Sequence, residues 1–182
     1  MPEKTLSLIP DVKPSVSTKI IYYQITGSTI ASLWKQINSY GPPDPKTGKR
    51  FSAYTHWLTN WYYYYQQKGD RCYITSATVT TNVEITLPQW KPNDRVQQSV
   101  KASWDGFLKA LIVHENGHKQ HGVSAGQEIA RNLANLPPQP TCLALKALAD
   151  RSSQLIVDKY ARMDGEYDRA TNHGVTQGAI LR

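Results

Sequence analysis

The chain has 182 residues, which suits one domain with a sizeable core. Hydrophobic residues are 40% and charged ones 19%, which excludes a disordered polyelectrolyte; no apolar run approaches the roughly 20 residues of a membrane-spanning helix. Lysine and arginine number 21 against 14 acidic residues, giving +7, but they are scattered, with Lys46, Lys49 and Arg50 the one evident cluster, so the charge reads as solubility and no nucleic-acid partner is expected.

The segment Met1-Pro2-Glu3-Lys4-Thr5 lacks the apolar core of a signal peptide, so the protein is either intracellular or a mature form from which a signal was removed. Residues 1–18, with Pro2, Pro10 and Pro14, read as an extended amino-terminal arm, and residues 19–182 as a single domain. Lys19–Ile25 is rich in β-branched and aromatic residues and predicts a strand. Ser28 is positioned to cap a short helix carrying Ile30, Leu33, Trp34 and Ile37, which should stop near Tyr40-Gly41 because Pro42 and Pro43 follow. Residues 41–50 form a basic Pro/Gly loop.

Phe51–Gln66 is aromatic, with Trp57, Trp61, Tyr63 and Tyr65 on one parity and Thr55 and Thr59 between them. That spacing predicts a long strand with one aromatic face, read as core packing before it is read as a platform for bases or sugars. After a turn at Gln66–Asp70, Arg71–Leu87 alternates again, with Tyr73, Ala77, Val79, Val83, Ile85 and Leu87 on one side, so the two strands read as an antiparallel hairpin. Asn93 can cap the next helix, whose apolar positions run from Val96 through Ile112 into His114 and on to Leu133, ending at Pro137-Pro138. Cys142 opens a last helical stretch through Tyr160. Strands first and helices later argue an α+β fold: an N-terminal antiparallel sheet with a short helix, then a C-terminal helical half.

Within the long helix stands His114-Glu115-Asn116-Gly117-His118. Residues four apart share one helix face, so His114 and His118 can present imidazole nitrogens to one ion, and Glu115 can reach a water beside it. The bland reading is an amphipathic helix with two solvated histidines. A catalytic zinc site takes a third protein ligand. His121 is unsuited, because seven residues of helix span about 10.5 Å along the axis while zinc–nitrogen bonds are about 2.0–2.1 Å; Glu128 is farther still. His121 reads as a partly exposed histidine or one that supports a ligand. The polar segment Glu166–Gly174 offers better candidates: His173 as a third nitrogen, Asp168 as an alternative ligand or as acceptor for a ligand's outer N–H, and Tyr167 as donor to an oxyanion. Equally, those groups can satisfy a helix C-terminus.

Cys72 and Cys142 are not a Cys-x-x-Cys pair, so a zinc–thiolate site is not expected; they fit either one disulfide or two unrelated buried thiols.

Several motifs together resemble the bacterial family of predicted secreted zinc-dependent proteases, otherwise labelled a domain of unknown function. They are Tyr22-Tyr23 before Gly27, Gly41-Pro42, Thr55-His56-Trp57, Leu87-Pro88-Gln89-Trp90, His114 to His118, and Tyr167-Asp168 through Thr171-Asn172-His173-Gly174. The resemblance implies a zincin-like helical half, a metal pair on His114 and His118, a functional role for the Tyr167–Gly174 segment, a Cys72–Cys142 disulfide, and a periplasmic or secreted location. The expectation is therefore a zinc metallopeptidase: Zn2+ on His114, His118 and His173, Glu115 as general base on metal-activated water, Tyr167 as a further catalytic group, and a peptide or protein as substrate, with an association with the cell envelope. The alternative is an exported binding module with a structural or vestigial metal site, recognising a cell-envelope polymer or protein.

Overall fold

The structure, a computed structural model, describes residues 10–44 and 48–182. Residues 1–9 of the expected arm and Lys46 of the basic cluster lie outside the described residues. The elements in chain order are β1 (Asp11–Ile25), α1 (Ile30–Tyr40), β2 (Tyr54–Lys68), β3 (Arg71–Trp90), α2 (Gln98–Ala134) and α3 (Cys142–Thr171), then a 3-10 turn at Val175–Gln177. The class is α+β.

The first strand begins at Asp11 rather than Lys19. Thr29, not Ser28, caps α1: its hydroxyl accepts from Ser32 N at 3.2 Å while Ser32 Oγ accepts from Thr29 N at 3.1 Å, a reciprocal capping box. The helix ends at Tyr40 before Pro42, as the sequence predicts. Asn93 does not cap α2; its side-chain oxygen accepts from Arg95 N at 3.0 Å in a turn that precedes the helix start at Gln98.

The sheet order is β1-β3-β2. β2 and β3 form the expected hairpin about the turn at Gly69-Asp70. The sheet is mixed rather than antiparallel. Contacts from β1 to β3 run Ser15–Thr80, Lys19–Glu84 and Gln24–Gln89, with both numbers rising together, so these strands are parallel. A parallel pair needs a long crossover, which α1, the following loop and β2 supply; a hairpin pattern read alone does not reveal it. Along β2, Trp57, Thr59, Trp61 and Tyr63 turn inward while Leu58, Tyr62 and Tyr64 face outward, the predicted parity, with Tyr65 the exception at 47% exposed. Along β3 the buried parity changes: Cys72 and Ile74 are buried first, then the odd positions from Ala77 to Leu87. Cys72 also pairs its backbone with Gln139.

Packing divides the chain into two compact units. One comprises Leu58–Thr81 and Gly122–Arg162 with the first part of β1. Its core joins Ile74, Val79, Ile129, Leu133 and Leu145. Here Cys72 and Cys142 form a disulfide, with Cα atoms 5.1 Å apart. The other unit comprises Thr18–Trp57, Asn82–His121 and Met163–Arg182. Its core joins Leu33, Ile37, Ile85, Phe107, Leu111 and Leu181. No helix among the described residues is long and apolar enough to cross a membrane.

Candidate metal centre

Every residue of the centre belongs to the second unit. In α2, Phe107 and Leu111 are buried at 1% and 3% exposure, and the same helix face continues into His114 and His118 at 3% and 8%. Burying two imidazoles on an apolar face requires partners for all four ring nitrogens. The end of α3 provides partners for three of them through another pair spaced four apart, Asp164 and Asp168.

The inward nitrogens converge. His114 Nε2 and His118 Nε2 are 3.3 Å apart, and Asp168 Oδ1 lies 3.2 Å from the first and 3.1 Å from the second. The edge of a tetrahedron around an ion with bonds of about 2.0–2.1 Å is about 3.3 Å. Two imidazole nitrogens and a carboxylate oxygen at nearly that spacing could hold one divalent cation.

The outward nitrogens are held from behind. His118 Nδ1 is 2.9 Å from Asp164 Oδ1, and His114 Nδ1 is 3.0 Å from Gln177 Oε1 and 3.4 Å from Thr171 Oγ1. With an ion bound, these acceptors would keep the proton on Nδ1 and leave the Nε2 lone pairs to the ion, the tautomer that a metal ligand needs. Asp164 also accepts from Trp57 Nε1 and pairs with His121 Nδ1, both at 2.6 Å. His121 therefore shares with His118 the carboxylate of Asp164. His118, His121 and Asp164 also bring donor atoms within 4.8 Å of one another. Their 2.6 and 2.9 Å contacts are hydrogen-bond lengths shorter than a metal polyhedron's edge, and we read them as hydrogen bonds.

The charges follow from this packing. Burial opposes a charge on His118, but hydrogen bonds to Asp164 and Asp168, and their charges, outweigh it and push the imidazole up to about 10. Burial likewise raises Asp168, yet the bonds from His114 and His118 hold it well below the usual carboxylate range. Asp164 is lowered in the same way by His118, His121 and Trp57 against its burial. A divalent ion could take the place of the raised proton affinity of His118 at the same three atoms.

Glu115 is 4% exposed, and burial raises it above the usual range. The Thr55 hydroxyl donates to Glu115 Oε2 at 2.6 Å and offsets part of that rise.

Tyr167 lies flat on His114, with centroids 5.0 Å apart and planes at 11°, and edge-on to His118 at 5.1 Å. Gly117 makes room: a Cβ there would collide with the Tyr167 ring and hydroxyl. That hydroxyl accepts from Gln177 Nε2 at 2.9 Å. After α3 the chain turns through three residues at positive φ, Asn172 (47°), His173 (51°) and Gly174 (85°). Two of them carry side chains, an uncommon strain. The turn packs Gly174 against His114, where a Cβ would stand 3.1 Å from His114 Cγ. His173 emerges half-exposed, its Nδ1 3.3 Å from Asp168 Oδ1 and its ring 5.2 Å from Phe51. The compact donor triangle thus contains His114, His118 and Asp168, while His173 stands beside its carboxylate. Glu128 is engaged elsewhere, by Lys159 and Tyr160.

Sequence reasoning missed Asp164, Gln177 and the link from Thr55 to Glu115. The Asp164–Asp168 spacing repeats that of His114–His118 and could have flagged the α3 face. No local pattern marks Gln177.

No curated protein and no solved structure is significantly similar to the chain. Over residues 20–174 the chain matches the model of a family described as bacterial protein of unknown function (DUF922), and it belongs to that family.

Proposed function

We propose that this protein is an exported zinc-dependent peptidase. The observation that carries the reading is the triangle of His114 Nε2, His118 Nε2 and Asp168 Oδ1, with edges of 3.1–3.3 Å, on the helix that also bears the buried Glu115. These three residues would hold the ion. Bound zinc supplies Lewis acidity toward a carbonyl oxygen and lowers the pKa of water. Glu115 takes the proton of the attacking water and later returns it to the leaving amine. Thr55 orients its carboxylate, and the raised affinity for a proton suits both halves of that transfer. Asp164 holds His118, and Tyr167 walls the other ligand ring. Tyr167 also offers its O–H to an oxyanion, since its hydroxyl oxygen accepts from Gln177 Nε2 and keeps its own proton as a donor. The Cys72–Cys142 disulfide supports a periplasmic or secreted location, since such bonds persist in oxidising compartments.

The test uses the zinc-loaded protein and a random peptide library read by mass spectrometry. Glu115→Gln is expected to keep its zinc and cleave nothing; cleavage by that variant would refute the assignment of the base. One observation favours a second reading, a module binding a cell-envelope polymer: Tyr62 and Tyr64 are 73% and 74% exposed on β2. Such binding would survive chelation, whereas peptidase activity would not.

A further inference from the structure

We propose that Gln177 is a positioning residue that sets the tautomer of His114 with one end of its amide and holds Tyr167 against the same imidazole with the other. It lies beyond the stretch that the family model covers, which ends at residue 174. The proposal rests on the metal reading above and assigns a role to a part of the chain that neither the motif nor the family match reaches.

Two bonds carry it. Gln177 Oε1 is 3.0 Å from His114 Nδ1, and Gln177 Nε2 is 2.9 Å from the Tyr167 hydroxyl. An amide has one acceptor end and one donor end. Its acceptor end at Nδ1 requires the N–H there, which leaves the His114 Nε2 lone pair facing His118 and Asp168. The donor end then meets the tyrosine oxygen. The phenol is thereby fixed over Gly117, and its ring is stacked on His114 at 5.0 Å. One side chain so constrains both the electronic state and the tilt of a ligand ring.

The backbone is built to deliver it. Three successive positive-φ residues, 172–174, reverse the chain after α3, and the short turn Val175–Gln177 follows. The far side of the segment is anchored: Ala179 and Leu181 are buried at 6% and 3%, and Trp34 Nε1 donates to Leu181 O at 3.0 Å. Gln177 is thus held from both directions, although it is exposed to solvent. Histidine ligands elsewhere are oriented by carboxylates or carbonyls in the same way, and losing such a partner typically costs ten- to a hundredfold in metal affinity.

The two ends of the amide can be separated by substitution. Gln177→Met removes both bonds. Gln177→Glu keeps an acceptor for His114 Nδ1 but has no donor for the tyrosine oxygen, whose own proton must then turn toward the carboxylate. Zinc affinity, measured by competition with a chromogenic chelator, is expected to fall about ten- to a hundredfold in Gln177→Met and to stay within about threefold of wild type in Gln177→Glu. Peptidase kinetics should show the Gln177→Met loss in kcat at saturating zinc with KM little changed. Equal zinc affinity in wild type and Gln177→Met would overturn the proposal. So would equal losses in the two variants, which would indicate a merely structural side chain. A wild-type protein that binds no zinc would overturn the metal reading along with it. Zinc binding without any cleavage would sink only the peptidase reading and leave the affinity comparison decisive for Gln177.

Discussion

The hydroxyl of Thr55, near the start of β2, donates to Glu115 Oε2 at 2.6 Å on α2. Sheet and metal helix are thereby joined at the one carboxylate to which the proposed chemistry assigns the proton. Burial pushes Glu115 up and this bond pulls it part of the way back. Thr55→Val keeps the side-chain shape and removes the bond. The acid limb of the pH–activity profile is expected to move to higher pH, with zinc content unchanged. A profile that stays in place would separate Thr55 from the base.

Gly117 and Gly106 make a matched pair on α2. A Cβ at Gly117 meets the Tyr167 ring and hydroxyl, whereas one at Gly106 meets nothing within 4 Å. Gly117→Ala is expected to destabilise the fold by about 1–3 kcal/mol through overpacking and to weaken zinc binding by displacing the ring from His114. Gly106→Ala is expected to be neutral or to stabilise by about 0.5–1 kcal/mol, the usual gain for alanine over glycine in a helix interior. Thermal or denaturant unfolding of the two variants checks both signs.

The metal-free protein should respond to pH on two sides. His118 is raised to about 10, so its contribution is complete below the unfolded value of about 6.5 and is lost as pH rises toward 10. Asp164 and Asp168 are lowered, so theirs is complete above the unfolded value of about 3.9 and is lost on acidification. The melting temperature of chelated protein should therefore peak between about pH 4 and 6.5 and fall on either side. Adding zinc at pH 7 should release a proton from His118, visible with an indicator dye in weak buffer. Asp168→Asn should flatten the alkaline decline.

The Cys72–Cys142 bond joins residues 70 apart, a loop for which chain entropy gives about 4 kcal/mol of stabilisation. Urea unfolding with and without a reductant should show a loss of that order. An unchanged midpoint would mean that the crosslink constrains little of the unfolded chain.

Much of this architecture was legible because periodicity is a local signal. Trp57, Trp61 and Tyr63 announced the inward parity of β2, and the apolar rows of α2 carried the reading into His114 and His118 without a break. Pro42 and Pro137 marked helix ends because proline lacks the donor that a helix needs. What escaped depended on contacts distant in sequence. The parallel pairing of β1 with β3 is decided by which strand β1 docks on, and no residue of Lys19–Ile25 encodes that choice. The change of parity between Ile74 and Ala77 lies close to the tie of Cys72 to Cys142 and Gln139, contacts distant in sequence. At the site, the two-histidine motif stood out, but choosing between His173 and Asp168 as the third donor needed the course of the chain after Thr171. The positive-φ turn leaves His173 half-exposed and the Asp168 carboxylate inward, and the same turn brings in Gln177. A glutamine has no pattern that distinguishes a ligand's support from an ordinary surface side chain.

The central claim is that one cation sits among His114, His118 and Asp168. Crystals grown with zinc and measured at the zinc absorption edge test it most directly. The account predicts a single strong anomalous peak within bonding distance of His114 Nε2, His118 Nε2 and an Asp168 oxygen. Absence of a peak there, or a peak bound by other residues while those three keep only their hydrogen bonds, would contradict it.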